Sequence, residues 1–326
     1  MRLTVYFAER ARIGRSSLAD RLLSLSMDSK LHSAVLLRGG EGFGPEHGLT
    51  TARQLTLSED LPMVFMAFDS ASGIDVLSEG IRSFLDEGLM TIEPAAELGQ
   101  SNSHSSAQAL SRLTIWTGRQ AMFRGSPARI GVVDYLKGHG AQAAVALLGI
   151  DGIADGTRRR GRFFSANRQV PILVVGVIAR EKAATLQTEL AQALPGSSVE
   201  ISNIDQSNSA QANPGTPSST WKMSVFSGGT DRASGIRRQR EVVRMLRSRG
   251  APGATLYFGI YGFQGEESPH GEAFASVRRQ VPVMIEVVDT LSNCQRWAAD
   301  VNGINGPPVL TTISPVQTFS RPSGPA

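Results

Sequence analysis

Three times along the chain, apolar residues follow one order: an alternating run, a helical-period stretch, an unbroken run, then a second helical stretch. The alternating runs LTVYF (3 to 7), LTIWT (113 to 117) and MSVFS (223 to 227) share one register, with Leu3, Val5 and Phe7 marking the covered face of a strand. The unbroken runs Met63 to Phe68, Ile172 to Ile178 and Val283 to Val288 predict strands covered on both faces. A first helix in each copy carries the pairs Leu22 and Leu23, Val132 and Val133, Val242 and Val243. Ser126 is its expected cap in the second copy, with Pro127 in the first turn, and Gly140 and Gly250 are expected stops. The second helix repeats its apolar positions at i, i+3, i+7 and i+10: Ile74, Leu77, Ile81 and Phe84; Ala183, Leu186, Leu190 and Ala193; Cys294, Trp297, Val301 and Ile304.

The spacing is that of a triplicated unit. Gly39, Gly149 and Gly259 stand 110 and 110 residues apart, and Gly42, Gly152 and Gly262 keep the same steps; Pro62, Pro171 and Pro282 follow at 109 and 111. Each copy reads strand, helix, strand, long loop, strand, helix, strand, which predicts an α+β fold of three ferredoxin-like (βαββαβ) repeats. The expected repeats are 1–98, 110–204 (divergent) and 220–316. Polar segments 99–109 and 205–219 are the expected linkers and 317–326 the tail. Helices on one face of a four-stranded sheet leave its other face open, so three linked sheets are expected to bury those faces against one another about a pseudo-threefold axis.

Composition adds little against this picture. With 326 residues, 41% hydrophobic and 19% charged, the chain is globular in type. Its longest nearly apolar stretch, Ile172 to Ala179, falls short of the roughly 20 residues that span a bilayer. The opening MRLTVYFAERARIG turns charged before a signal-like region develops, so a cytoplasmic protein without membrane insertion is expected. A net charge of +4 is too small to argue for nucleic acid. The single cysteine, Cys294, takes the core position of Ile74 and Ala183, which predicts a packed thiol.

The first copy, through LTVYF, LLRGGEGFG, TARQLTLSEDLPMVFMAFD and EGLMTIE, resembles the domain of unknown function 190, a bacterial group related to the PII signalling proteins. The third does so through GAPGATLYFGIYGFQG and QVPVMIEVVD, the second through GAQAAVALLGIDGI and NRQVPILVVGV. PII proteins are homotrimers of ferredoxin-like subunits, so the resemblance implies a monomeric chain that acts as an intrachain PII-like pseudo-trimer. It further implies signalling: a small-molecule or nucleotide effector held between repeats, and a long loop offered to a target protein such as a membrane transporter, channel or enzyme. Gly42, Phe43 and Gly44 match the Gly-Phe-Gly at the base of that loop, which continues through Pro45 to Asp60. The PII glycine-rich phosphate loop has no counterpart, since only LDEGL separates Phe84 from Met90, and this argues against ATP binding in the usual PII manner.

Two groups of residues are candidates for binding. The Gly-x-x-Gly turns, with Gly39, Gly42, Phe43, Gly44, Gly149, Gly152, Gly259, Gly262 and Phe263, allow close backbone approach, and their amides either line an anion-binding concavity or simply end a strand. The middle loop carries Arg158, Arg159, Arg160 and Arg162, a cluster suited to an acidic protein surface more than to nucleic acid. Glu266, Glu267, His270 and Glu272 crowd the third loop without counterparts in the others, and no metal is expected there. No nucleophile elbow, phosphate-binding loop or zinc-ligand spacing is present. The expectation is a regulatory protein without catalytic residues or cofactor. An enzyme using the same clefts and a ligand-free adaptor are the alternatives.

Overall fold

A computed structural model of the chain describes residues 1–44, 50–51, 60–96, 109–154, 156–160, 170–206, 220–228, 235–271 and 281–319. The first repeat comprises β1 (Arg2–Ala8), α1 (Leu18–Asp28), β2 (Ser33–Arg38), β3 (Glu41–Phe43), β4 (Pro62–Phe68), α2 (Ala71–Arg82) and β5 (Leu89–Glu93). The second comprises β6 (Leu110–Gly118), α3 (Ala128–Gly138), β7 (Ala143–Leu148), β8 (Asp151–Ala154), β9 (Pro171–Ala179), α4 (Arg180–Ala193) and β10 (Ser198–Gln206). The third comprises β11 (Thr220–Ser227), α5 (Gly235–Ser248), β12 (Ala254–Phe258), β13 (Tyr261–Gln264), β14 (Val283–Asp289), α6 (Leu291–Gly303) and β15 (Leu310–Phe319).

Each repeat builds one antiparallel sheet in the same strand order. β2 pairs with β4, β4 with β1 and β1 with β5. The second repeat runs β7-β9-β6-β10 and the third β12-β14-β11-β15. The helices cover one face of each sheet: Leu3, Val5 and Phe7 share a core with Leu22, Leu23, Ile74, Leu77 and Ile81. The last predicted inward positions, Phe84, Ala193 and Ile304, are only half-buried, because they fall at or beyond the helix ends. Ser70 and Thr290 cap α2 and α6 through their hydroxyls. Ser126 does not cap α3; it pairs with Phe123 in a short ladder, Pro127 takes the cap position, and the helix starts without a side-chain cap bond. Gly140 and Gly250 do follow their helices, at φ +83° and +81°, the left-handed conformation that glycine adopts without strain.

The opposite sheet faces cover one another. Val35, Met66 and Phe68 of the first repeat, Trp116, Val145 and Val175 of the second, and Phe226, Tyr257 and Met284 of the third belong to one buried cluster. Around it the fourth strands run beyond their expected ends at 204 and 316. Asp205 pairs with Ile313, and Gln317 to Phe319 pair with Met90 to Ile92. Ala96 bridges to Ile201. First joins second, second joins third and third joins first, so residues expected in a linker and a tail are strand, held by a neighbour's edge. No helix among the described residues is long and apolar enough to cross a membrane.

Candidate functional site

The Gly-x-x-Gly turns lie at seams between repeats. After each turn a short strand leaves its own sheet and adds to a neighbour's edge: β3 pairs with β12, β8 with β2, and β13 with β7. The side chain at the third position of each short strand travels with it. Phe43 packs in the helix-covered core of the third repeat, Ile153 in that of the first, and Phe263 in that of the second. Phe263, at 1% exposure, is therefore a core residue of a repeat to which it does not belong.

The glycines are what let these strands approach. A Cβ at Gly42 would stand 2.5 Å from the Ala254 carbonyl oxygen, one at Gly152 2.3 Å from that of Ala34, and one at Gly262 2.2 Å from that of Ala144. Gly39, Gly149 and Gly259 sit against Pro62, Pro171 and Pro282, which explains the matching register of the three prolines. Their amides donate to the carbonyls of those prolines at 2.7, 2.9 and 2.7 Å. The next amides, of Gly40, Ile150 and Ile260, donate across the seam to Leu256, Leu36 and Ala146. These six amides are thus engaged by backbone oxygens, the Gly152 amide donates to the Asp151 carboxylate at 2.8 Å, and the geometry gives these glycines a packing role. Gly44 continues the first seam, beside Gly253. Between the first and second repeats, Ser33, Trp116, Ile153, Pro171 and Gly196 line a cleft of about 10 Å³, room for a single water.

One polar residue of each turn meets the first helix of the neighbour. Glu41 pairs with Arg240 at 3.1 Å, and the Tyr261 hydroxyl donates to Asp134 at 3.0 Å. At the remaining seam both sides are acidic, Asp151 from the second repeat and Asp20 from the first. Arg158 bridges them at 2.7 Å to each, and Arg160 lies within 3.7 Å of both. Arg158, expected to meet an outside anion, thus neutralises an internal repulsion. The Arg159 amide donates to the Gly152 carbonyl at 2.8 Å, and Arg162 lies outside the described residues. Hydrogen bonds from Arg158 hold the Asp20 carboxyl below its ordinary range. Stability from that contact is present above the usual aspartate value, near 4, and is lost as pH falls. Arg158→Met should cost about 1 kcal/mol at pH 7, since Asp20 is partly solvated. In chemical denaturation its difference from wild type should shrink below about pH 4; a difference constant with pH would remove the bridge from the account.

The largest polar feature was not predicted. Arg2, Arg112 and Lys222 occupy one register position on the three first strands, facing the centre, and all are buried. All three meet Glu93: Arg2 at 2.8 Å, Arg112 and Lys222 in short contacts. Glu200 pairs with Arg2, while Glu286 lies 3.8 Å from Lys222 and accepts from Tyr6 and Tyr257 at 3.0 and 2.9 Å. Three cations and three carboxylates form a closed set. Burial opposes ionisation of Glu93, but Arg2 and Lys222 outweigh it and hold its carboxyl below the ordinary range. Burial leaves the Glu200 carboxyl raised despite Arg2. The signal was there, since three cations recur at steps of 110, but a charge at the start of a strand reads as an exposed end.

The other candidates have plain settings. The ring nitrogens of His270 lie 3.0 and 2.6 Å from the Ser268 and Gly228 carbonyl oxygens, and Glu272 is outside the described residues. No group of three metal-ligating side chains occurs among the described residues. Cys294 is fully buried, and burial pushes its thiol up to about 12, so it is an inert core side chain.

All three repeats match one family model, DUF190, described as Uncharacterized ACR, over residues 1–96, 110–206 and 220–318. One solved structure, described as the crystal structure of an unknown protein from Galdieria sulphuraria, is 10% identical, with 65% of this chain and 98% of that one covered. The TM-score is 0.19, a likeness too slight to inform the fold.

Proposed function

From membership of the DUF190 family, to which the chain belongs in each of its three repeats, we propose a PII-like regulatory protein. Three ferredoxin-like repeats act as a pseudo-trimer within one chain. A small anionic effector is sensed between repeats, and the loops that follow the seam strands contact a target protein such as a transporter or channel. The observation that carries this reading is the cyclic exchange of strands, β3 to the third repeat, β8 to the first and β13 to the second. The strand leading into each long loop is hydrogen-bonded to a different repeat from its own. A partner pulling on one loop therefore strains two repeats, and a ligand that parts a seam moves a loop.

The volume of the seam between the first and second repeats sharpens the test. A cleft of about 10 Å³ admits no nucleotide, so effector binding there requires the first and second repeats to separate. A thermal-shift screen of nucleotides, cyclic nucleotides and small anions should yield a ligand that raises Tm without turnover. Hydrogen exchange should then show changed protection in β8 and β2. A screen in which nothing shifts Tm favours the ligand-free adaptor. Turnover abolished by one acid or base substitution favours the enzyme.

A further inference from the structure

Leu18, Ala128 and Arg238 stand 110 residues apart, each in the first turn of the first helix of its repeat. All three are buried, at 3%, 1% and 5% exposure. Two repeats thus place an apolar side chain here and the third places a guanidinium. Its Nε and Nη1 are buried and have no hydrogen-bond partner among the described residues. Burial disfavours its charge, and the Glu241 carboxylate only partly offsets this.

The position is unfavourable for a lone cation. An arginine side chain stays charged, so it cannot escape burial by releasing a proton, and a buried charge without a partner is strongly destabilising. Helical side chains lean toward the N-terminus, where unpaired amides and the dipole are already positive, and α5 has no acid in its first turn. By contrast, α1 carries Asp20 there. The turn from α6 to β15 is nevertheless shaped around this side chain: a Cβ at Gly306 would stand 2.9 Å from Arg238 Cδ and 3.2 Å from Nη1. At the matching Gly196 of the second repeat a Cβ would meet nothing within 4 Å. Asn305 and Gly306 are exposed, so the guanidinium lies just beneath a solvent-facing turn.

We propose that the third repeat binds a small oxyanion, with a carboxylate, sulfate or phosphate group, between the first turn of α5 and the α6–β15 turn. The planar fork of Arg238 takes two of its oxygens, and the positive end of α5 favours the same charge. The first and second repeats, with Leu18 and Ala128 in this place, have no such site. The site lies within one repeat and goes beyond the regulatory reading. An anion response lost in Arg238→Leu belongs to it, whereas a response that survives that substitution with changed protection in β8 and β2 belongs to the seam.

The test is thermal shift and titration calorimetry on the full chain with acetate, sulfate and inorganic phosphate, against chloride at equal ionic strength. At least one oxyanion should raise Tm saturably in the millimolar range, and chloride should not. Glycerol 3-phosphate beside inorganic phosphate, and succinate beside acetate, tell a free ion from the charged end of a larger metabolite, and tighter binding of either kind supports the site. Arg238→Leu, which copies the first repeat, should abolish the response. In chloride alone it should also be more stable than wild type, because the unpaired charge is gone. Arg238→Lys keeps the charge without the fork and should weaken binding by about tenfold. No oxyanion response in wild type, a response undiminished in Arg238→Leu, or an Arg238→Leu chain less stable than wild type in chloride overturns the proposal.

Discussion

Gly262→Val should lower the stability of the whole chain by about 3 kcal/mol or more, because the added carbons meet second-repeat backbone on one side of a seam and the Pro282 ring on the other. The new Cβ would stand 2.2 Å from the Ala144 carbonyl oxygen, 3.0 Å from Val145 Cα and 2.9 Å from the Pro282 ring. Backbone cannot swing aside as a flexible side chain does. Relief requires β13 to leave β7, and that strand carries Phe263 out of the second repeat's core. The loss should appear as a fall in Tm of roughly 6–12 °C, with faster hydrogen exchange in β7, a strand belonging to a different repeat from the mutation. Gly138→Ala is the control: it lies on the exposed last turn of α3, a Cβ there meets nothing within 4 Å, and the change should be neutral or slightly stabilising. A Gly262→Val chain as stable as wild type would show that the seam is not held by close backbone contact.

This prediction also marks where the sequence stops being legible. The helix-facing cores were readable because Ile74, Leu77 and Ile81, like Cys294, Trp297 and Val301, recur at helical spacing over several turns. The exchange of strands was not readable. Glu41–Phe43, Asp151–Ala154 and Tyr261–Gln264 are three or four residues long, too short for a period to show, and their partners lie more than 100 residues away. The repeated Gly-x-x-Gly was visible, but a glycine admitting a ligand and a glycine admitting another backbone look alike in a sequence. The arginines of the middle loop misled for a related reason. Arg158 reads as free charge until its two aspartates, one of them 138 residues earlier in the chain, are seen beside it.

The central charges should give the other large effect, and the two acids beside Arg2 should behave differently. Glu93→Gln removes the one carboxylate shared by Arg2, Arg112 and Lys222, cations from three different repeats, all buried. Breaking a buried ion pair by deleting one partner costs about 3–5 kcal/mol, because the remaining charge stays out of water. The Glu93 carboxyl is held below its ordinary range, so its contribution is present above the usual glutamate value, about 4.3, and is lost as pH falls through the depressed one. The deficit of Glu93→Gln should therefore be full at pH 7 and narrow in acid. Glu200→Gln should cost about 1 kcal/mol or less at pH 7. Arg2 keeps Glu93, one Glu200 oxygen has no hydrogen-bond partner, and the raised Glu200 carboxyl already disfavours the folded state as pH rises through it. Because Glu93 is the contact common to the three repeats, losing it should weaken their mutual packing more than the helix-covered core of any one. Denaturant unfolding of Glu93→Gln should then separate into more than one transition, the central faces parting first. A single cooperative transition at wild-type stability would mean that the apolar cluster around Trp116 and Tyr257 alone holds the repeats together.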